Sequence, residues 1–162
     1  MVSEYIQALN ITMDKQTGIR FEKLKQQKTL FEKIKYDDCV FFDCHFDEVI
    51  WRKCHFYQTT FNGNSTFSNC RFIDCRFTGQ HTHLGSALYR NCDFRNVALK
   101  DIVFGGSKFM DCKFSGKASN IVFYGDNAPK GWETYFDNVD ISKLTLDTVD
   151  FRTNFDFSKT IR

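Results

Sequence analysis

The stretch Ser68-Asn-Cys-Arg-Phe-Ile-Asp-Cys-Arg-Phe77 spells Cys-Arg-Phe twice, at an interval of five. Neither regular period explains that interval, because an α-helix repeats near 3.6 residues and a strand at 2. Working outward, the step of five runs Phe31, Tyr36, Phe41, Phe46, Trp51, Phe56, Phe61. It resumes after one inserted residue as Phe67, Phe72, Phe77, and after two more as Leu84, Tyr89, Phe94, Leu99, Phe104, Phe109, Phe114. A longer interruption precedes Phe136, Ile141, Leu146 and Phe151. All of these positions are large and apolar, and they hold 14 of the 19 phenylalanines.

The cysteines check this frame independently. Cys39, Cys44, Cys54, Cys70, Cys75, Cys92 and Cys112 all fall two residues before a stepped position. Random placement over five classes would do this with a chance on the order of one in 10^5. Other occupants of the slot are mostly small or branched: Val49, Thr59, Ser65, Ala87, Val97, Ile102, Ser107, Thr134, Val139 and Val149. Two residues apart on an extended segment, the small and the large residue point the same way. The remaining classes are mostly polar. Each unit is therefore one short extended side plus a corner, and a single side cannot bury its own ring. Successive sides must wrap and stack, which is the logic of a solenoid. Four sides make a square coil of about twenty residues, and a little over five coils stack to roughly 25 Å at the ordinary strand spacing.

This unit resembles that of the pentapeptide-repeat proteins, over residues 29–115 and 134–151. The resemblance implies an all-β solenoid, a right-handed quadrilateral β-helix, with a large residue at the centre of each unit and a small one two before it. The usual Ala of the small slot is largely replaced here by Cys, and the usual Leu of the centre by Phe. Buried Cys behaves as a small hydrophobe. The pairs Cys39/Phe41, Cys44/Phe46, Cys54/Phe56, Cys70/Phe72, Cys75/Phe77, Cys92/Phe94 and Cys112/Phe114 are thus expected to be structural core.

The ends and interruptions read less regularly. Residues 1–30 form either a degenerate first coil, with Gln26 unsuited to a core, or a capping helix; residues 3–12 suit a short helix with Ser3 as N-cap. The repeat proper is expected over 31–157, with a tail at 158–162. Gly116, Gly125, Pro129 and Gly131 mark 115–133 as a loop. Loops on regular scaffolds often carry function, and Trp132 lies in this one. Outward apolar residues elsewhere include Phe42, Ile50, Tyr57, Ile73 and Met110. Phe42, Tyr57, Ile73 and Trp132 are the candidate partner-binding residues. Equal registers place Ile50 over Arg71 and His55 over Arg76, one coil apart.

The 162-residue chain has a net charge of +2 that hides a gradient. Residues 15–35 hold seven basic residues and two acids, residues 126–156 three basic and seven acids, and the middle is balanced. No chemistry-bearing constellation stands out. His81, His83 and Cys92 match no familiar zinc spacing. The five-residue spacing of Cys39/Cys44 and of Cys70/Cys75 is not C-x-x-C. Gly105-Gly-Ser-Lys108 lacks the order of a phosphate loop, G-x-S-x-G is absent, and the acid pairs Asp37/Asp38 and Asp47/Glu48 suit corners. The expectation is a non-enzyme without cofactor or metal. An odd number of cysteines, with no signal-like or membrane-spanning run, suits a reducing, cytoplasmic setting.

The function expected first is protein binding, by an antagonist or immunity-type protein that neutralises a toxin-class partner. The resemblance adds an alternative, since some pentapeptide-repeat proteins bind DNA gyrase or topoisomerase and protect it, partly by imitating the charge of DNA. Mimicry needs acidic faces, and only the last coil is acidic. Direct nucleic-acid binding through residues 15–35 ranks last, as a basic run is usually a solvated face. The resemblance also implies a homodimer through the C-terminal end, where Phe155 and Phe157 break the frame.

Overall fold

A computed structural model describes Ile6–Gln7 and residues 14–162. Among these residues every regular element is a strand, and the paired strands are parallel. Most strands are three residues long with only the middle residue buried, as in His55–Tyr57 and His45–Asp47. The chain turns after each one, so the strands form the four faces of a square stack.

Core residues of successive coils lie in register. On face one, Gln16, Tyr36, Phe56, Phe77, Leu99, Ala118 and Leu146 follow one another, giving about 7 turns. Face three carries Gln26, Phe46, Phe67, Tyr89, Phe109 and Phe136. Face four carries Phe31, Trp51, Phe72, Phe94 and Phe114. Face two carries Phe21, Phe41 and Phe61, then Leu84 beside Phe61, then Phe104, Phe123 and Phe151. The offsets place Ile50 against Arg71 and His55 against Arg76.

Rings in a column stack. On face four the centroids lie 5.6, 4.7, 4.7 and 4.4 Å apart from Phe31 to Phe114. Rings of adjacent faces meet edge-on, as Phe72 does with Phe56 at 6.2 Å and with Phe77 at 5.6 Å. Such pairs contribute about 0.5–1.5 kcal/mol each beyond the area they bury.

The slot two residues earlier is also a hydrogen-bonding position. Its thiol or hydroxyl donates to the carbonyl of a core residue in the coil below: Cys39 to Gln16, Cys44 to Phe21, Cys54 to Phe31, Cys70 to Phe46, Cys75 to Trp51, Cys92 to Phe67 and Cys112 to Tyr89, at 3.3–3.5 Å. Thr59, Ser65 and Thr134 donate in the same way to Tyr36, Phe41 and Phe104. A residue here must be small or branched enough for the core, as Val49, Ala87, Val97, Ile102 and Val139 are, and Cys fits while also donating to a buried carbonyl. All seven thiols are buried.

The corners are left-handed. Two residues after most core positions φ is positive, and the occupants include Lys23, Lys33, Asp38, Asp43, Glu48, Lys53, Gln58, Asn69, Asp74 and Asn91, with φ between 47 and 57°. For a residue other than glycine this conformation costs roughly 1–2 kcal/mol, less for Asn and Asp. Part of that cost is offset by ladders between corners, in which Asn91 donates to Asn69 and Asn96 to Asp74, both at 2.8 Å.

The structure decides one alternative left by the sequence and departs from its reading elsewhere. Of the two alternatives for the start, residues 15–32 form the degenerate first coil, built of strands, and not a capping helix. Gln16 and Gln26 occupy core positions there because the end coil is only half covered. Ile6–Gln7 pairs with Thr29–Leu30 as strand; the rest of the helix expected over 3–12 lies outside the described residues. Lys113–Tyr124 is strand, so the loop shrinks to 125–133 and the stack has about seven turns rather than five. Here the step from Phe114 to Ala118 is four residues, taken at a bulge where Gly116 has φ +117° and a Cβ would lie 2.1 Å from the Val97 carbonyl. At the far end Leu146 is exposed, since no full coil lies above it. Phe155 folds over the last rings, at 5.1 Å from both Phe136 and Phe151, and Thr160–Ile161 pairs with Val139–Asp140.

Candidate binding face

The outward positions of the four faces differ in charge. Face one presents Lys15, Lys35, Arg76, Lys100 and Lys117 against Asp37 and Asp147, and faces three and four mix both signs. Face two is different. From the second coil to the sixth its outward residues are Val40/Phe42, Thr60/Asn62, His83/Gly85, Val103/Gly105 and Val122/Tyr124, with no Asp, Glu, Lys or Arg among them. Burial holds His83 below the usual histidine range, so at pH 7 it is neutral. The face is bounded at its two ends by the ion pairs Arg20–Glu22 and Asp150–Arg152.

All three insertions into the five-residue step border this face, whereas the shortened step from Phe114 to Ala118 lies between faces four and one. Asn62–Thr66 and the loop 125–133 lie on its side toward face three, and Gly79–His83 on its side toward face one. Between them is a notch of about 360 Å³, lined by Thr60, Asn62, His83, Gly85, Ser86, Gly105, Gly131 and Trp132. Gly85 and Gly105 create it, standing where Phe42 and Tyr124 carry rings. A Cβ on Gly85 would lie 2.5 Å from the Phe61 carbonyl, and one on Gly105 would meet the Trp132 ring at 3.1 Å. Trp132 packs edge-on to Tyr124 at 5.7 Å yet remains 47% exposed. The loop behind it is braced by the Trp132 amide on the Pro129 carbonyl and the Gly131 amide on Glu133 Oε2. Across the notch Ser86 Oγ donates to Asn62 Oδ1 at 2.7 Å, and the Gly63 amide donates to the same oxygen at 2.8 Å.

Of the four candidate partner-binding residues, Phe42 and Trp132 share face two, with Arg20 lying over the Phe42 ring at 4.3 Å. Tyr57 stands on face one under Lys35, and Ile73 on face four between Arg52 and Arg95. Ile50, though on the outer side of face four, is buried. The neutral face itself was not visible in the sequence. Its signal is the side of the square on which each frame shift falls.

The other motifs are absorbed by the fold. Cys92 is buried on the face-four side of the core, whereas His83 lies on face two. Among the described residues no group of three or more His, Cys, Asp or Glu is placed to hold a metal ion. Asp37, beside Lys35 and Lys15, is held below the usual carboxylate range, while Asp38 and Glu48 are corner residues. Burial and the neighbouring Cys54 push the Cys75 thiol up, away from a reactive thiolate. No helix among the described residues is long and apolar enough to cross a membrane.

The family model for pentapeptide repeats matches residues 39–79, in 8 copies. No curated protein matches the chain. Among solved structures, two of QnrB1, described as a plasmid-mediated fluoroquinolone resistance protein, align with 85% of this chain. One is 16% identical, with 89% of that chain covered and a TM-score of 0.31; the other is 12% identical, with 91% covered and a TM-score of 0.24.

Proposed function

We propose that this pentapeptide-repeat stack is a non-catalytic scaffold that binds and modulates another protein, as an antagonist or immunity-type protein acting in the cytoplasm, with face two as its contact surface. One observation carries the reading: the uncharged face is also the face that all three insertions border. The centres of protein interfaces are depleted of charge and enriched in aromatic residues, and a half-exposed Trp beside a notch is the kind of residue that dominates binding energy. Five coils span roughly 20 Å, so the flanking loops must contribute if the contact is to reach about 800 Å² per partner. The thiols are consumed by core packing and carbonyl contacts, so this face presents no thiol at its surface.

Mimicry of a DNA duplex, as a modulator of gyrase or topoisomerase, would need a face lined with carboxylates. Faces one, three and four each present at least as many cations as acids at their outward strand positions, so the neutral face is favoured. A head-to-head homodimer through the last coil, where Leu146 and Ile161 are exposed, is part of the same proposal. Sedimentation showing a monomer at all concentrations would remove it.

The test is affinity capture from a lysate of the source cell with wild-type, Trp132→Ala and Val103→Asp baits. A toxin-class or topoisomerase-class protein held by the wild type and weakened at least tenfold by both substitutions is the expected result. A partner retained equally by all three baits would count against face two.

A further inference from the structure

Face one holds a second candidate site, unrelated to the neutral face. Its residues come from sequence positions about twenty apart that the coil brings into line. Arg76, Ala98 and Lys117 are consecutive along one outward column, and Lys100 follows Ala98 by two residues on the same strand. Arg76 and Lys117 therefore stand two rungs apart, about 10 Å between backbones, with only a methyl group between them. Lys100 stands about 7 Å to the side. The space over Ala98 is a cavity of about 510 Å³ that Thr78 and Ser119 also line, the Thr78 hydroxyl being hydrogen-bonded to His55 Nε2 at 2.7 Å. Lys117 pairs with Asp147 at 3.2 Å, so one carboxylate also borders the cavity and competes for that cation. Among the described residues neither Arg76 nor Lys100 has a carboxylate within ion-pair distance. Lower on the same column, past His55, Lys15 and Lys35 share Asp37, each at 3.2 Å, so cations recur below the cavity.

We infer that face one binds a phosphate-bearing anion seated over Ala98, contacted by Arg76, Lys100 and Lys117. Guanidinium and ammonium groups converging on an uncharged floor, with hydroxyls beside them, match the charge and the acceptor oxygens of a phosphoryl group. The group could belong to a free polyphosphate or to the backbone of a single-stranded nucleic acid, which the row of cations would track.

Two probes separate these sources: tripolyphosphate by calorimetry, and a fluorescein-labelled twelve-nucleotide oligothymidylate by anisotropy, both at low salt. Arg76→Glu and Lys100→Glu should each weaken binding at least tenfold. Lys108→Glu, the same charge change on face three, should alter it less than about twofold. Ala98→Lys is the sharpest variant: it adds a positive charge but fills the seat, so affinity should fall, whereas a diffuse field would make it rise. If the oligonucleotide binds through three phosphate contacts, log K should fall against log salt with a slope of about −2. Binding of tripolyphosphate alone would assign a free polyphosphate, and binding of the oligonucleotide alone a nucleic-acid backbone. All variants are on exposed or half-exposed outward positions, and matching thermal midpoints would confirm that they fold. Failure of both probes to bind at millimolar concentration, equal loss with Lys108→Glu, or a gain with Ala98→Lys would overturn the inference.

Discussion

Truncating Phe72 to alanine removes the middle ring of the face-four column. Phe72 is fully buried and lies flat between Trp51 and Phe94, 4.7 Å from each. Removing a buried Phe costs about 3–5 kcal/mol, and the two stacked neighbours account for about 1–3 kcal/mol of it. The interlocked rings of the adjacent faces leave little room for collapse, which places the cost near the top of that range. Phe114, at the end of the column, stacks on Phe94 alone and is 5% exposed, so Phe114→Ala should cost about 1 kcal/mol less. Arg71, adjacent in sequence and pointing outward, should change stability by no more than about 0.5 kcal/mol when truncated. Total stability of a domain is about 5–15 kcal/mol, so Phe72→Ala takes a large share, and Phe72→Asp should abolish folding while Arg71→Asp leaves the stack intact. Urea titration followed by far-UV circular dichroism and tryptophan fluorescence measures each loss, with Trp51 reporting directly on the damaged layer. Equal costs at Phe72 and Arg71 would refute the register, and a Phe72/Phe94 double-mutant cycle without coupling would refute the stacking.

Other consequences are smaller but equally specific. Cys75→Ser should cost less than about 1 kcal/mol, because Ser65 and Thr59 already fill equivalent slots as donors, whereas Cys75→Ala removes both the thiol's bond to the Trp51 carbonyl and its buried volume and should cost about 1–2 kcal/mol; chemical denaturation of the pair decides. Lys53→Asn should stabilise by about 0.5–1 kcal/mol, because Lys53 is held at φ 54° and Asn tolerates that conformation better; the thermal midpoint should rise. His55 and His83 are both depressed by burial, so the unfolded chain binds protons more readily than the folded one. Their contribution is complete above about pH 6.5, the unfolded value, and is lost as pH falls below it. Unfolding at pH 7.5 and pH 5 should show this loss, and His83→Gln should reduce it.

The period of five was legible because burial acts identically on every side, so Phe and Cys recur with the coil and betray it. Departures arise where that constraint relaxes. Gln16 and Gln26 sit in core positions of a half-covered end coil, and a polar residue there conceals the repeat. Ala118 is a small residue at a core position reached by a four-residue step, and with Gly116 just before it the segment looked like a loop. The carbonyl-donor role of the slot was hinted at by Thr59, Ser65 and Thr134 among its occupants, but size alone accounted for them until the carbonyls were placed. Surface function was least legible. Phe42 and Trp132 are ninety residues apart in sequence, and only the number of sides between them, altered by each insertion, puts them on one face. The cationic group of Arg76, Lys100 and Lys117 is hidden in the same way, since none of the three belongs to the basic run at 15–35.

The central claim is that face two meets the partner. Placing a photo-crosslinking amino acid at Val103 on face two, and in separate proteins at Lys108 on face three and Arg71 on face four, tests it most directly. Irradiation in a lysate of the source cell should yield one discrete crosslinked protein from position 103, absent from the other two. The same product from Lys108 or Arg71, with none from Val103, would contradict the account.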